Sequence, residues 1–431
     1  ADFAESMLQF AMIDQCGGCV DVLQDLLHVT GRNWSLLAFK KFHLYLRRNS
    51  VAFLRINATV PWICVDRLVV RNDHGQQRIG PSVVFGLQNF LQQLNMCTPP
   101  VSAFDFEMPV TPEGLRQLIG LETKLPKTLS LRLEFDGVQM FLQKLPLLPQ
   151  LENLETLKLF LYNMDDAQTS TFCDTVTKQP SPKLKEMHFA GGTIHAEGMI
   201  SISKMVAALP ELERLDVSLN HIGDAGFEAF SEAMAPVASK SKLRFINVRH
   251  QHGNLGNLGV QALGKTLALL PALEEVVIRD NENITDEGLV GLLSPFVNKS
   301  LLRLRKIDIG ETKVSDTGVT ALAQLMEKHP LEEISIASTM ITDEGLRLLG
   351  VGLQSATCLL KKVYAYQEDE AWSDEGVRHL LQGLEHCPNL VEVDVQGPNL
   401  SNETIQMALK ALSGWQNLTN LDVTYDDMEY N

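Results

Sequence analysis

The hexapeptide ITDEGL occupies residues 284–289 and returns letter for letter at 341–346. Shorter relatives are GDAGF at 223–227, SDTGV at 315–319 and SDEGV at 373–377. The glycine of the phrase falls at 198, 226, 259, 288, 318, 345 and 376, so its spacings are 28, 33, 29, 30, 27 and 31 residues. A period of this length means a stack of similar units, each too small to bury its own apolar face, and not one closed core.

Ahead of each glycine lies an L-x-x-L-x-L run. Clear copies are LERLDV (212–217), LEEVVI (273–278), LRKIDI (304–309), LEEISI (331–336), LVEVDV (390–395) and LTNLDV (418–423). The L-x-L alternation with β-branched residues predicts a strand with one buried face. After the glycine the spacing becomes helical: Leu289, Leu292, Leu293 and Phe296, then Leu346, Leu349 and Leu353. Turns such as HCPN (386–389) and KHP (328–330) end those helices.

One strand plus one helix per unit resembles the leucine-rich repeat, in the long form of ribonuclease-inhibitor-like proteins. The resemblance implies an α/β solenoid (a horseshoe) with a parallel concave sheet and outer helices. Regular repeats of 27–33 residues are expected over 151–431, and degenerate ones over 61–150. There VSAFDF (101–106) fits, while TLSLRLEF (128–135) fits only with a shifted register. Residues 1–60 do not follow the repeat, and MLQFAMI, VDVLQDLL and SLLAFKKFHLYLRR predict a short preceding helical segment.

Residues 259–266, GVQALGKT, match the phosphate-binding pattern G-x-x-x-x-G-K-[ST]. A real loop of that kind runs directly off a strand and offers unpaired N–H groups to phosphate. Here Gly259 is the repeat glycine, and Gly264, Lys265 and Thr266 fall inside the expected outer helix. The match is coincidental.

Net charge is −16, and it is uneven: residues 1–100 hold 9 Lys/Arg against 7 Asp/Glu, the remainder 28 against 46. An acidic surface repels phosphate backbones and steers basic partners, which disfavours nucleic acid as the main ligand. No apolar stretch is long enough to span a membrane. The chain opens at Ala1 with no initiator Met and no signal segment, as expected of a piece of a longer protein. Seven cysteines (16, 19, 64, 97, 173, 358 and 387) form no regular framework, which predicts a reduced, cytoplasmic protein. The N-x-S/T sequons, Asn283-Ile-Thr among them, fall partly where the repeat calls for Asn or Thr.

The lone Cys16-x-x-Cys19 lacks the second pair a structural zinc site needs. The pair His250-x-His252 lacks an obvious third ligand, and His386-Cys387 reads as a helix end with a buried repeat cysteine. Neither a cofactor nor a metal is expected, and no catalytic constellation appears. The concave sheet remains as the place for function. Successive strands about 4.8 Å apart make a surface of protein-binding size. Its candidate partner-binding residues are Phe160, Arg249, Arg279, Lys361, Lys362, Tyr364 and Tyr366. The last four form an aromatic and basic island, the kind of residues that dominate interface hot spots.

A short helical piece feeding such a solenoid resembles the C-terminal part of a NOD-like receptor. The residues that carry this likeness are MLQFAM and CVDVLQDLL leading into CVDRLVV, with ITDEGL and LEHCPNLVEVDV further on. The resemblance implies a ligand-sensing or autoinhibitory region of an innate immune receptor, with an ATPase module upstream. Its partner is then a protein ligand with a basic patch, or other domains of the same receptor. The alternatives are a free-standing scaffold or protein inhibitor and, less favoured, a GTPase-activating protein.

Overall fold

The computed structural model describes residues 37–45, 63–71, 103–114, 127–133, 155–178, 183–297, 303–355, 358–367, 371–397, 400–412 and 417–424. Two compact units form: residues 1–163 with 183–188, and residues 164–182 with 189–431.

In the first unit β1 (Leu37–Tyr45), β2 (Ile63–Arg71), β3 (Ala103–Val110), β4 (Thr128–Leu133) and β5 (Thr156–Tyr162) pair in chain order, all parallel. β1 corrects the helical reading of SLLAFKKFHLYLRR. Phe39, Phe42 and Leu44 pair with Val65, Leu68 and Val70. FKKFHL is therefore one more L-x-x-L-x-L run with two anchors replaced by Phe, a residue that suits strands. The register of β4 also becomes plain. Leu129 pairs with Phe104 on one side and Leu157 on the other, and Leu131 pairs with Leu159. The run is thus PKTLSL (126–131), with Pro126 where the first leucine belongs. MLQFAMI, VDVLQDLL and Cys16–Cys19 lie outside the described residues.

β6 (Leu184–Ala190) follows. The second unit holds β7 (Arg214–Asp216), β8 (Phe245–Asn247), β9 (Glu275–Val277), β11 (Lys306–Asp308), β13 (Glu333–Ser335), β14 (Lys362–Tyr366), β15 (Glu392–Gln396) and β16 (Asn420–Thr424), parallel and in that order. Between them run the helices α1 (Asp166–Lys178), α2 (Ala196–Ala207), α3 (Asp224–Met234), α4 (Asn257–Leu267), α5 (Asp286–Val297), α6 (Asp316–Lys328), α7 (Asp343–Ser355), α8 (Asp374–Leu384) and α9 (Asn402–Leu412), each packed on the next. A short second ladder joins β10 (Asn281–Thr285) to β12 (Thr312–Lys313) where strand turns into helix. The anchors Leu215, Ile246, Val276, Ile307, Ile334, Val363 and Val393 are all buried against the helix layer. That is the solenoid architecture the repeat implies. None of the described helices is long and apolar enough to cross a membrane.

Two polar ladders set the stacking. Asn220 Nδ2 donates to the carbonyls of Phe189 and Val217, and Asn281 Nδ2 to those of Val248 and Ile278. Gln251 fills the same place between them, and Thr312 and Thr339 bond only their own turns. Each ties buried backbone groups that the sharp turn after a strand would otherwise leave unpaired. The second ladder explains the aspartate of the repeated phrase. Asp286 Oδ1 accepts from the N–H groups of Ser315 and Gly318, at the start of the next helix. Asp166 serves His195 and Gly198 in the same way, Asp316 serves Thr342, Asp343 serves Ser373 and Asp374 serves Ser401. A carboxylate against helix N–H groups matches both their unpaired donors and the helix dipole.

The helix α4 contains Gly259, Gly264, Lys265 and Thr266, so the phosphate-loop pattern is helical as expected. A Cβ at Gly264 would stand 2.5 Å from the Leu292 carbonyl oxygen, so this glycine lets α4 approach α5. The expectation of reduced cysteines fails at one pair: Cys358 and Cys387 are disulfide-bonded. They precede the leucine anchors of neighbouring units, Leu360 and Leu390, so stacking brings them together. Cys173 is a buried thiol whose pKa burial pushes well up.

Candidate protein-binding face

Along each strand alternate side chains leave the core, and the pairing registers align them in columns across the second unit. One column reads Arg214, Phe245, Glu275, Lys306, Glu333, Lys362, Glu392 and Asn420. Two residues on, the next reads Asp216, Asn247, Val277, Asp308, Ser335, Tyr364, Asp394 and Asp422.

The first column cancels its own charge. Arg214 lies 3.5 Å from Glu275 and stacks 3.7 Å over the intervening Phe245 ring. Lys306 pairs with Glu333, and Lys362 lies 2.8 Å from Glu392. The Lys362 hydrogen bond holds the Glu392 carboxyl below its usual range. Such half-exposed pairs are worth at most about 1 kcal/mol each, so they select strand neighbours more than they stabilise.

The second column has no basic residue. Asp216 accepts from Asn247 Nδ2 at 3.0 Å, and Asp308 from the Gly310 N–H at 3.1 Å. The Gln396 amide lies 2.7 Å from Asp394 and 3.2 Å from Asp422. Burial, with the charges of Asp422 and Glu392, pushes the Asp394 carboxyl up. Two carboxylates sharing one amide are short of positive charge.

Beyond these columns lies Arg279. Its Nε donates to Glu311 at 2.9 Å and its Nη2 to Tyr366 Oη at 2.5 Å. Of the seven residues singled out from sequence, the structure thus joins Arg279 to Tyr366, and Lys362 to Tyr364 at 3.4 Å. Arg249 is half exposed, 3.6 Å from Asp280. Lys361 stands one residue before β14, 2.8 Å from Glu332, which also takes Arg305 at 3.4 Å. The basic half of the expected island is therefore already ion-paired.

Phe160 belongs to the first unit. It stacks on His188 at 4.1 Å, with the Arg132 guanidinium 5.2 Å from its ring centroid. Arg132 Nη1 also donates to Tyr162 Oη at 3.0 Å. Sequence spacing pointed to Phe160 alone. Arg132 escaped because PKTLSL lies out of register in the sequence reading, and Tyr162 because it stands two residues past Phe160, beyond the outward positions considered.

A family model described as Leucine Rich repeat matches residues 209–231 and 271–293. Ribonuclease inhibitor of Sus scrofa is 24% identical over 271 residues, covering 62% of this chain and 57% of that protein. NACHT, LRR and PYD domains-containing protein 12 of Mus musculus is 21% identical over 188 residues, 43% of this chain and 17% of that protein. Protein NLRC5 of Ictalurus punctatus is 28% identical over 166 residues, 38% of this chain and 9% of that protein. The chain therefore spans little more than half of the inhibitor and under a fifth of the other two. Among solved structures, the yeast complex of Rad7 and Elc1 is similar with a TM-score of 0.49 at 15% identity, covering 74% of this chain and 77% of that one.

Proposed function

We propose that this leucine-rich-repeat domain, which resembles the C-terminal region of NOD-like receptors, is the ligand-sensing and autoinhibitory part of such an intracellular innate immune receptor. As a leucine-rich-repeat module it binds protein. The partner in this reading presents a basic patch to the aspartate column, whether it is a separate ligand or another domain of the same receptor. The supporting observation is the contrast between columns: one is neutralised by its own ion pairs, while in the next Asp394 and Asp422 share the Gln396 amide and the column itself holds no basic residue. An incoming Lys or Arg over Asp394 and Asp422 would supply the missing charge. Similarity to the two NACHT- and NLRC-type proteins supports the receptor context.

The test has two arms. Deleting residues 155–424 from the full-length protein is expected to raise its basal signalling, and unchanged signalling would sink the autoinhibitory reading. Asp394→Asn with Asp422→Asn is expected to weaken partner binding at least about tenfold, or about 1.4 kcal/mol, and to flatten its salt dependence. Equal affinity for wild type and variant would remove the aspartate column from the interface.

The likeness to ribonuclease inhibitor favours a second reading, a free-standing scaffold or protein inhibitor. It predicts a stable stoichiometric complex and a full-length protein without an ATPase module.

A further inference from the structure

Four imidazoles meet on the turns that lead from strands to helices in the second unit. His195 is the residue before α2, His221 lies between β7 and α3, and His250 and His252 lie between β8 and α4. The rings of His195 and His221 stack with centroids 5.3 Å apart, and those of His221 and His252 at 4.3 Å. His250 closes the row edge-on, 4.3 Å from His252. Among the described residues no three His, Cys, Asp or Glu side chains are arranged to hold a metal ion, so the row is not a metal cluster.

The charges facing the row sit at its ends. Asp166, from α1, lies 3.5 Å from His195 Nδ1. Asp280, from the turn after β9, lies 2.8 Å from His250 Nδ1 and also takes Arg249. Glu282, on β10, comes close to Gly253. The middle pair, His221 and His252, face each other. Desolvation, then the charges of His250 and His221, lower the pKa of His252 against an opposing pull from Asp280.

The turn that carries two of these rings is also strained. His250 (φ 52°), His252 (φ 47°) and Gly253 (φ 74°) are left-handed, a conformation that costs a non-glycine residue roughly 1–2 kcal/mol. Bonds to its neighbours hold it: Gln251 N to Asn281 Oδ1 at 2.9 Å, and Asn283 Nδ2 to the Gly253 carbonyl at 2.6 Å.

We infer that the imidazole row is a proton-operated latch: neutral stacked rings hold the turn of residues 250–256 against the turn that carries His221, and protonation of His221 and His252 drives the two apart. The sign follows from His252. Its folded pKa lies below the unfolded value of about 6.5, so the unfolded or opened turn takes up the proton first as pH falls. The latch is fully closed above that value and is lost below it. Acidification would thereby loosen the turn beside Arg249 and Asp280.

Ring-proton NMR of the whole chain, titrated through the histidine range, tests this. In wild type His252 is expected to titrate below about 6.5, and in His221→Gln its midpoint moves up toward that value. Amide exchange over residues 250–256, corrected for intrinsic rate, is expected to speed up at least about tenfold at low pH in wild type, but not in His221→Gln/His252→Asn. Asn is chosen because it tolerates the left-handed backbone. A His252 midpoint that ignores His221, or identical exchange in both chains, overturns the latch. Should the variants not fold, a wild-type midpoint at or above about 6.5 overturns it, and one below that value supports it.

Discussion

Arg279 reaches Tyr366 across two intervening strands, its Nη2 2.5 Å from the phenol oxygen and its Cζ 5.7 Å from the ring centroid. Gly310, two residues past β11, lies beside the guanidinium, and a Cβ there would stand 3.3 Å from Arg279 Nη1. Glu311 fixes the arginine from one side. Tyr366→Phe keeps the ring and removes the acceptor, and is expected to cost about 1 kcal/mol of stability, measured by denaturant unfolding. Tyr364→Ala with Tyr366→Ala should leave the chain folded yet weaken partner binding at least about tenfold. Unchanged affinity would mean that these tyrosines only support the sheet.

The repeat glycine carries a sharper prediction. At Gly288 an added Cβ would stand 2.4 Å from Asn257 Oδ1, with the Asn257 side chain its principal obstacle. That same oxygen accepts from the Thr285 N–H at 3.0 Å. Gly288→Ala alone should destabilise by about 1–3 kcal/mol despite the better helix propensity of alanine. In an Asn257→Ala background the same change should be neutral or stabilising. Additive costs in the double-mutant cycle would refute the steric account.

These contacts mark where sequence reading stops. The period of ITDEGL exposes the solenoid, because glycine and apolar anchors recur at fixed places in the chain. It does not say why glycine recurs, since the obstacle is an oxygen of the preceding unit, some thirty residues away. FKKFHL and PKTLSL are hard to see because Phe and Pro stand where leucine belongs, so two repeats near the N-terminus lose their register. The candidate face was legible as a set of outward positions. Which of them were already committed was not: Lys362 to Glu392 and Arg279 to Tyr366 are pairings between strands. The histidine row was half visible as His250-x-His252, and only stacking adds His221 and His195.

Cys358 and Cys387 are separated by 29 residues, one repeat, and the bond between them ties the turns that precede β14 and β15. Closing a loop of that length is worth roughly 3–4 kcal/mol through the unfolded chain. Reductant should therefore lower the unfolding midpoint of wild type and leave Cys358→Ser/Cys387→Ser unmoved. A wild-type midpoint indifferent to reductant would restore the reduced pair expected from sequence.

The aspartate ladder has a gap. Asp166 caps α2, and Asp224, the first residue of α3, accepts from the Gly256 N–H at 2.7 Å. Between them the corresponding residue of α2 is Ala196, which has no acceptor to offer the start of α3 at Gly223 and Gly226. The backbone there matches the other units: Gly226 is the repeat glycine, and the Ala196 Cα lies 3.4 Å from where its Cβ would be. Ala196→Asp places a carboxylate against those N–H groups and the positive end of the α3 dipole. It is expected to stabilise the chain by about 1 kcal/mol, seen as a higher denaturant midpoint with an unchanged slope. The gain should vanish as pH falls below about 3.9, where an ordinary aspartate takes up its proton. Asp is a poorer helix former than Ala by a few tenths of a kcal/mol, so a loss of that size would show that the new carboxylate makes no cap.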